Sequence, residues 1–136
     1  MGAADVGRIF LPSRASALGD ARRFVDHVAA RAGFSDPVRE EISLAVTEAV
    51  SNAIRHGSPA GEADQVELSV EWQPPRLLIT VRDHGSPFSP PRPSLPDPAL
   101  FAEHGRGLFL MYHLMDEVLF QANGGTVVRM TKKLPS

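Results

Sequence analysis

Glu48 and Asn52 stand four residues apart in E-A-V-S-N-A-I-R-H-G, residues 48–57. On a helix this spacing puts a carboxylate and a carboxamide one turn apart on the same face. The carboxylate could serve as a general base, and the carboxamide oxygen as a ligand for a hard cation such as Mg2+. The same pair also reads as an ordinary solvated helix face, and the spacing alone leaves both readings open. Asp83 offers a second handle. It closes an apolar strand and is followed by Gly85, so it could accept a hydrogen bond from the exocyclic amine of a base while the glycine leaves room for a planar ring. A strand-end turn would use the same residues. Third, Gly105 and Gly107 flank Arg106 where a helix begins. Glycines there let backbone amides approach a phosphate, with the helix dipole adding a favourable field. A turn entering a helix also uses glycine for its own conformational reasons.

The elements that must position these residues follow from periodicity. Ala45, Val46, Ala49, Val50, Ala53 and Ile54 form an apolar stripe at helical spacing behind Glu48 and Asn52. Asp36 reads as the N-cap of that helix, with Pro37 at its first position and Gly57 at its end. Glu40 and Glu41 near the start complement the dipole. An earlier helix runs from a Ser16 cap to about Arg31, with Leu18, Ala21, Phe24 or Val25, and Val28 inward and Gly33 as terminator. Val6–Leu11 reads as a short strand. In Gln65–Trp72 the residues Val66, Leu68, Val70 and Trp72 alternate with polar neighbours, which marks a half-buried strand. Gln73-Pro74-Pro75 turns the chain into a strand over Arg76–Arg82. A helix over about Gly107–Met115 precedes two strands, Glu117–Gln121 and Thr126–Lys132. Asn123-Gly124-Gly125 joins them as a hairpin. Helices placed around antiparallel pairs predict an α+β two-layer sandwich.

The segment from His84 to His104 breaks this pattern. It is 21 residues long, lacks hydrophobic periodicity and holds six of the chain's twelve prolines, between Pro87 and Pro98. Segments of this length inside a domain are either functional or disordered. Its position directly before Gly105-Arg106-Gly107 favours a lid over a ligand.

Composition removes several function classes. With 136 residues, 43 % hydrophobic and 22 % charged, the chain is expected to form one globular domain over residues 1–136. A net charge of −2 argues against direct nucleic-acid binding by phosphate neutralisation. No cysteine is present, so disulfides and thiolate metal sites do not arise. Met1–Asp5 lacks the basic and apolar regions of a signal peptide, and no apolar run approaches a membrane span. The expectation is a cytoplasmic protein without membrane contact.

The order of the three signals is more specific than any one of them. E-x-x-x-N on a helix, then strand-D-x-G, a long loop and G-x-G opening a helix is the arrangement of the GHKL ATPase/kinase superfamily. More narrowly, E-A-V-S-N-A-I-R-H-G, V-R-D-H-G-S-P-F and H-G-R-G-L-F-L-M resemble the anti-sigma-factor serine/threonine kinases of bacterial partner-switching systems, the RsbW type. The motif resemblance spans roughly Ile42–Val118.

That resemblance implies a Bergerat-type fold with a mixed, mostly antiparallel sheet. It implies ATP and Mg2+ as cofactors, with Asn52 ligating the metal and Glu48 acting as catalytic base toward a substrate hydroxyl. Asp83 and Gly85 would hold the adenine, Gly105 and Gly107 the phosphates, and residues 84–104 would be the ATP lid. Arg106 either neutralises γ-phosphate charge or points to solvent. His56, closing the turn, reads as a hydrogen-bonding residue rather than an acid or base. The implied partners are a sigma factor, a STAS-domain anti-anti-sigma protein that is phosphorylated, and a second copy in a homodimer. A non-catalytic, ATP-dependent binding module is the alternative. One position departs from the superfamily's D-x-G-x-G: Pro87 stands at the second glycine, removing an amide donor. A histidine kinase would need an upstream phosphoacceptor helix pair, and a gyrase-like ATPase a following transducer domain. Neither is expected here, with about 35 residues before the Glu48 helix and an end at Ser136.

Overall fold

A computed structural model describes residues 5–58, 61, 64–84, 105–122 and 124–135, with backbone alone at 5 and 105–107. Alternation of apolar and polar residues builds the sheet. Strands β1 (Asp5–Pro12), β2 (Gln65–Gln73), β3 (Arg76–Arg82), β4 (Glu117–Ala122) and β5 (Thr126–Lys133) lie in the order β1-β2-β3-β5-β4. In β2 and β3 every second residue is buried, namely Val66, Leu68, Val70 and Trp72, then Leu77, Ile79 and Val81. Register follows, since a one-residue slip would turn these side chains to the opposite face. Leu68 stands beside Val81, and Ile79 beside Met130.

All four ladders among the described residues are antiparallel. The α+β two-layer expectation holds, whereas the expected mixed sheet does not. The physical reason lies in the last hairpin. It docks with β5 rather than β4 against β3, so the strand running opposite to β3 takes the inner place.

Among the described residues three helices cover one face: α1 (Leu18–Ala32), α2 (Asp36–His56) and α3 (Gly105–Leu114). Helix α2 lies between the other two and also packs on the sheet. Its stripe Ile42, Ala45, Val46, Ala49, Val50 and Ala53 is buried, which fixes the helix's rotation about its own axis. Two cap expectations shift. Ser35, not Asp36, is the N-cap of α2, and Asp36 opens the helix while bonded to Arg39 at 2.9 Å. Ser16 does not cap α1. It lies in a 3-10 turn, Ala15–Ala17, whose tighter bonding carries the chain into the helix. Arg39 also reaches Asp26 on α1 at 2.8 Å, and that hydrogen bond is the main cause raising the guanidinium's pKa.

Among the described residues no helix covers the opposite face of the sheet. Of the four large hydrophobic side chains most exposed among the described residues, Val6, Phe10 and Leu119 lie on this face, and the fourth, Leu44, is on α2. No helix among the described residues is long and apolar enough to cross a membrane.

Helix α1 ends as expected at Gly33, in a left-handed conformation with φ 101°. The Phe34 N–H then bonds the Ala29 carbonyl at 3.2 Å, and the Phe34 ring meets Trp72 edge-on at 5.7 Å. An added Cβ at Gly33 would meet no atom within 4 Å. Gly33→Ala should therefore destabilise through backbone strain alone, by about 1–2 kcal/mol. Gly33→Asn should cost less, and urea unfolding of both variants checks the pair.

Candidate nucleotide site

The last turn of α2, the end of β3 and the start of β5 converge on one side chain. Asp83 follows the final residue of β3 and is 7 % exposed, a degree of burial that a carboxylate tolerates only with hydrogen-bond partners. One oxygen, Oδ1, accepts from the Thr126 backbone N–H at 3.0 Å. The Asp83 N–H donates to the Thr126 carbonyl at 3.0 Å, extending the β3–β5 ladder by one pair. Its neighbour His84 donates from its backbone N–H to the Gly57 carbonyl at 3.3 Å. These bonds tie the end of the sheet to the end of α2.

The two glycines beside Asp83 follow from this convergence. A Cβ on Gly57 would lie 2.1 Å from the Asp83 carboxyl carbon. A Cβ on Gly125 would lie 2.2 Å from the Asp83 carbonyl oxygen, and Gly125 also has φ 151°. Gly57 thus does more than end the helix, and Gly125 does more than turn the hairpin. Both leave room for the buried carboxylate and its backbone. Neither role was visible in sequence, because the residues they accommodate are distant along the chain. Thr126 was missed for the same reason.

Asp83 lies at the wall of a cavity whose apolar sides are Ala49, Ala53, Val81, Met111, Phe120 and Val128. Asn52, His56 and Thr126 complete the lining. Ala49 and Ala53 are one turn apart on the face of α2 that meets the cavity, and their small size keeps that wall flat. The space open to the centre of a water molecule is about 30 Å³, room for one or two waters. In chemistry the lining suits a flat heteroaromatic ring, with apolar walls and a hydrogen-bonded carboxylate as acceptor.

The residues singled out in sequence divide into three groups. Asn52 and Asp83 are brought to one cavity, as is His56. Glu48 stands one turn before Asn52 on α2 and is half-buried. Gly105, Arg106 and Gly107 form the first turn of α3, which begins two residues earlier than expected. Their amides are thus among the four that an α-helix leaves without internal partners. Gly85 and the rest of the expected lid, 85–104, lie outside the described residues, as does the Arg106 side chain.

The chain is similar to known proteins over most of its length. Residues 11–132 match the family model described as the histidine kinase-like ATPase domain. The serine-protein kinase RsbW of Bacillus pumilus is 34 % identical, over 96 % of this chain and 86 % of the relative. RsbW of Bacillus subtilis is 33 % identical, over 96 % and 87 %. Among solved structures, the RsbU and RsbW domains of a Mycobacterium tuberculosis protein superpose with a TM-score of 0.71 over 95 % of this chain. This chain spans 32 % of that longer one at 18 % identity, so the likeness concerns fold alone.

The crowding at Gly57 yields a direct test. Gly57→Ala should displace the Asp83 carboxylate and destabilise by about 1–3 kcal/mol, the usual range for overpacking. Thermal unfolding measures the stability loss. A stability equal to that of the parent would show that Asp83 does not hold this position.

Proposed function

This chain belongs to the histidine kinase-like ATPase domain family, among the RsbW-type serine-protein kinases, and we propose that it is an ATP-dependent anti-sigma-factor kinase. In this reading it phosphorylates a serine or threonine on a STAS-domain anti-anti-sigma protein. The observation that carries it is the placement of Asn52 and the buried Asp83 on one cavity, with Glu48 a turn away on the same rigid helix.

The residues divide the work as follows. Asp83 accepts a hydrogen bond from the adenine amino group, and the Thr126 N–H keeps the carboxylate in place. Ala49, Ala53 and Val81 form the apolar walls beside the ring. The first turn of α3, from Gly105 to Gly107, presents backbone amides to the phosphates. Gly85 and the segment 84–104 take the adenine-contact and lid roles in this proposal, and Arg106 stays a candidate for the phosphate charge.

Mg2+ would supply charge neutralisation of the transferring phosphoryl group, with Asn52 Oδ1 as a protein ligand. Among the described residues no group of three or more His, Asp or Glu side chains is placed to hold a metal ion by itself. An ion that keeps most of its ligands from phosphate and water suits a site of this kind. Glu48 takes the proton from the substrate hydroxyl as its oxygen attacks the γ-phosphorus, and ADP leaves. Core packing of α2 matters here, because a base on a loosely held helix would lose the required alignment.

The partners are a sigma factor and the antagonist, bound in mutually exclusive states, and the protein acts as a cytoplasmic homodimer. The face of the sheet opposite the described helices, with Val6, Phe10 and Leu119 exposed, supports a second copy packing there. A phosphoryl group on the antagonist adds about −1.5 to −2 charges at pH 7. Beside Glu48 and the ADP phosphates this charge is repelled, so the product dissociates and the kinase is free to hold the sigma factor.

Two measurements test the chemistry and the switch. Glu48→Gln should keep ATP affinity within a few-fold while phosphotransfer to the antagonist falls about 100-fold or more. In the same titrations Asp83→Asn should weaken ATP and ADP alike, by about 10-fold or more for a charge-assisted hydrogen bond. Full transfer by Glu48→Gln would remove the base role. Independently, fluorescence anisotropy should show the phosphorylated antagonist binding the ADP-loaded protein at least about 10-fold more weakly than the unphosphorylated form. Equal binding would contradict release by charge.

A further inference from the structure

Helix α2 continues past Asn52 with a residue that the nucleotide reading leaves unused. Arg55 is exposed in the last turn, three residues beyond Asn52 and seven beyond Glu48. Residues 48, 52 and 55 share one stripe of the helix surface. The Arg55 guanidinium donates from Nη2 to Asn52 Oδ1 at 3.0 Å. It pairs with no carboxylate among the described residues. Its place at the negative end of the helix dipole favours the cation there.

The atom it holds is the carboxamide oxygen that the proposed function assigns to Mg2+. A carboxamide has one acceptor atom, and its nitrogen can only donate. A Mg2+ ion binds an oxygen at about 2.0–2.1 Å. With a guanidinium nitrogen at 3.0 Å on the same oxygen, a divalent and a univalent cation would stand only a few ångströms apart. Coulomb repulsion over that distance opposes joint occupancy, and exposure to water weakens it without removing it. The oxygen has two lone pairs, so the guanidinium and the metal compete for it through their charges rather than for a single bonding site.

We propose that Arg55 is a positioning residue that holds the Asn52 oxygen in the nucleotide-free protein and competes with the metal of a Mg-nucleotide for it. This rests on the reading of Asn52 as metal ligand. The bond keeps the carboxamide turned with its oxygen toward the end of α2, and it sets a threshold for the free metal concentration. Nucleotide without metal does not need the Asn52 oxygen, so Arg55 should have little effect on its binding. In this way a surface arginine tunes the metal dependence of ATP binding without touching the base pocket.

Calorimetric titration of the full chain with ATP, across a series of Mg2+ concentrations and in EDTA, tests the proposal. Arg55→Ala should lower the Mg2+ concentration for half-maximal ATP binding about three- to five-fold, the size expected for one exposed charged contact. ATP affinity in EDTA should stay within about two-fold of the parent, which also confirms a folded site. Arg55→Lys, which keeps the charge, should restore most of the parent's Mg2+ dependence. An unchanged or raised Mg2+ midpoint in Arg55→Ala would overturn the proposal. So would a large loss of ATP affinity in EDTA, which would make Arg55 a phosphate contact instead. If the parent protein binds ATP with no Mg2+ dependence at all, the assignment of Asn52 fails first and takes this inference with it.

Discussion

The burial of Asp83 is the constraint on which the site depends. A carboxylate at 7 % exposure must be hydrogen-bonded, and one such bond comes from Thr126, 43 residues along the chain. To deliver that N–H, β5 has to lie beside β3 in one register, with Asp83 opposite Thr126. To leave space for the carboxylate, α2 has to end on a glycine at that point. The order β1-β2-β3-β5-β4, the hairpin conformation at Gly125 and the end of α2 at Gly57 are thus coupled through one side chain. Loss of any one would take a hydrogen bond from a buried carboxylate, which costs more than losing the same bond at the surface.

The rest of the scaffold gives this point its rigidity. Helix α2 is held on three sides, by α1, α3 and the sheet, and its inward stripe is mostly alanine and valine. Small side chains bring the helix close to the sheet, so the polar groups near its end are carried on a backbone with little freedom. Lys132 fastens a second corner, bonding Glu41 on α2 at 3.3 Å and the Leu114 carbonyl at the end of α3. The two helices that bear the expected nucleotide contacts are thereby tied to β5 as well as to each other. The exposed side chains on the last turn of α2 sit at the edge of this rigid body, where rearrangement is cheap.

Much of the architecture was legible in sequence because it depends on local periodicity. Two-residue alternation in β2 and β3 and the apolar stripe of α2 are properties of short windows, and each was placed within one or two residues. Helix starts were less legible. Ser16 and Asp36 have the right side chains for caps, but a preceding 3-10 turn and the choice of Ser35 settled where the helices begin. Capping preferences are worth about 1 kcal/mol, small enough for tertiary packing to override.

What the sequence by itself determined was the set of chemical groups and the elements that carry them. Glu48, Asn52 and Asp83 stood out by residue type and spacing, and their order along the chain pointed to the family. Only the tertiary structure decided which groups meet. It put Asp83 against Gly57, Gly125 and Thr126, and it turned the Asn52 oxygen toward Arg55. It also put β5 inside the sheet, so that every described ladder is antiparallel. The physical reason is that periodicity reports each segment's own preference for water or core, whereas a close contact between distant segments is a property of their packing. A glycine required by a carboxylate 26 residues away looks, in sequence, like any other end of a helix.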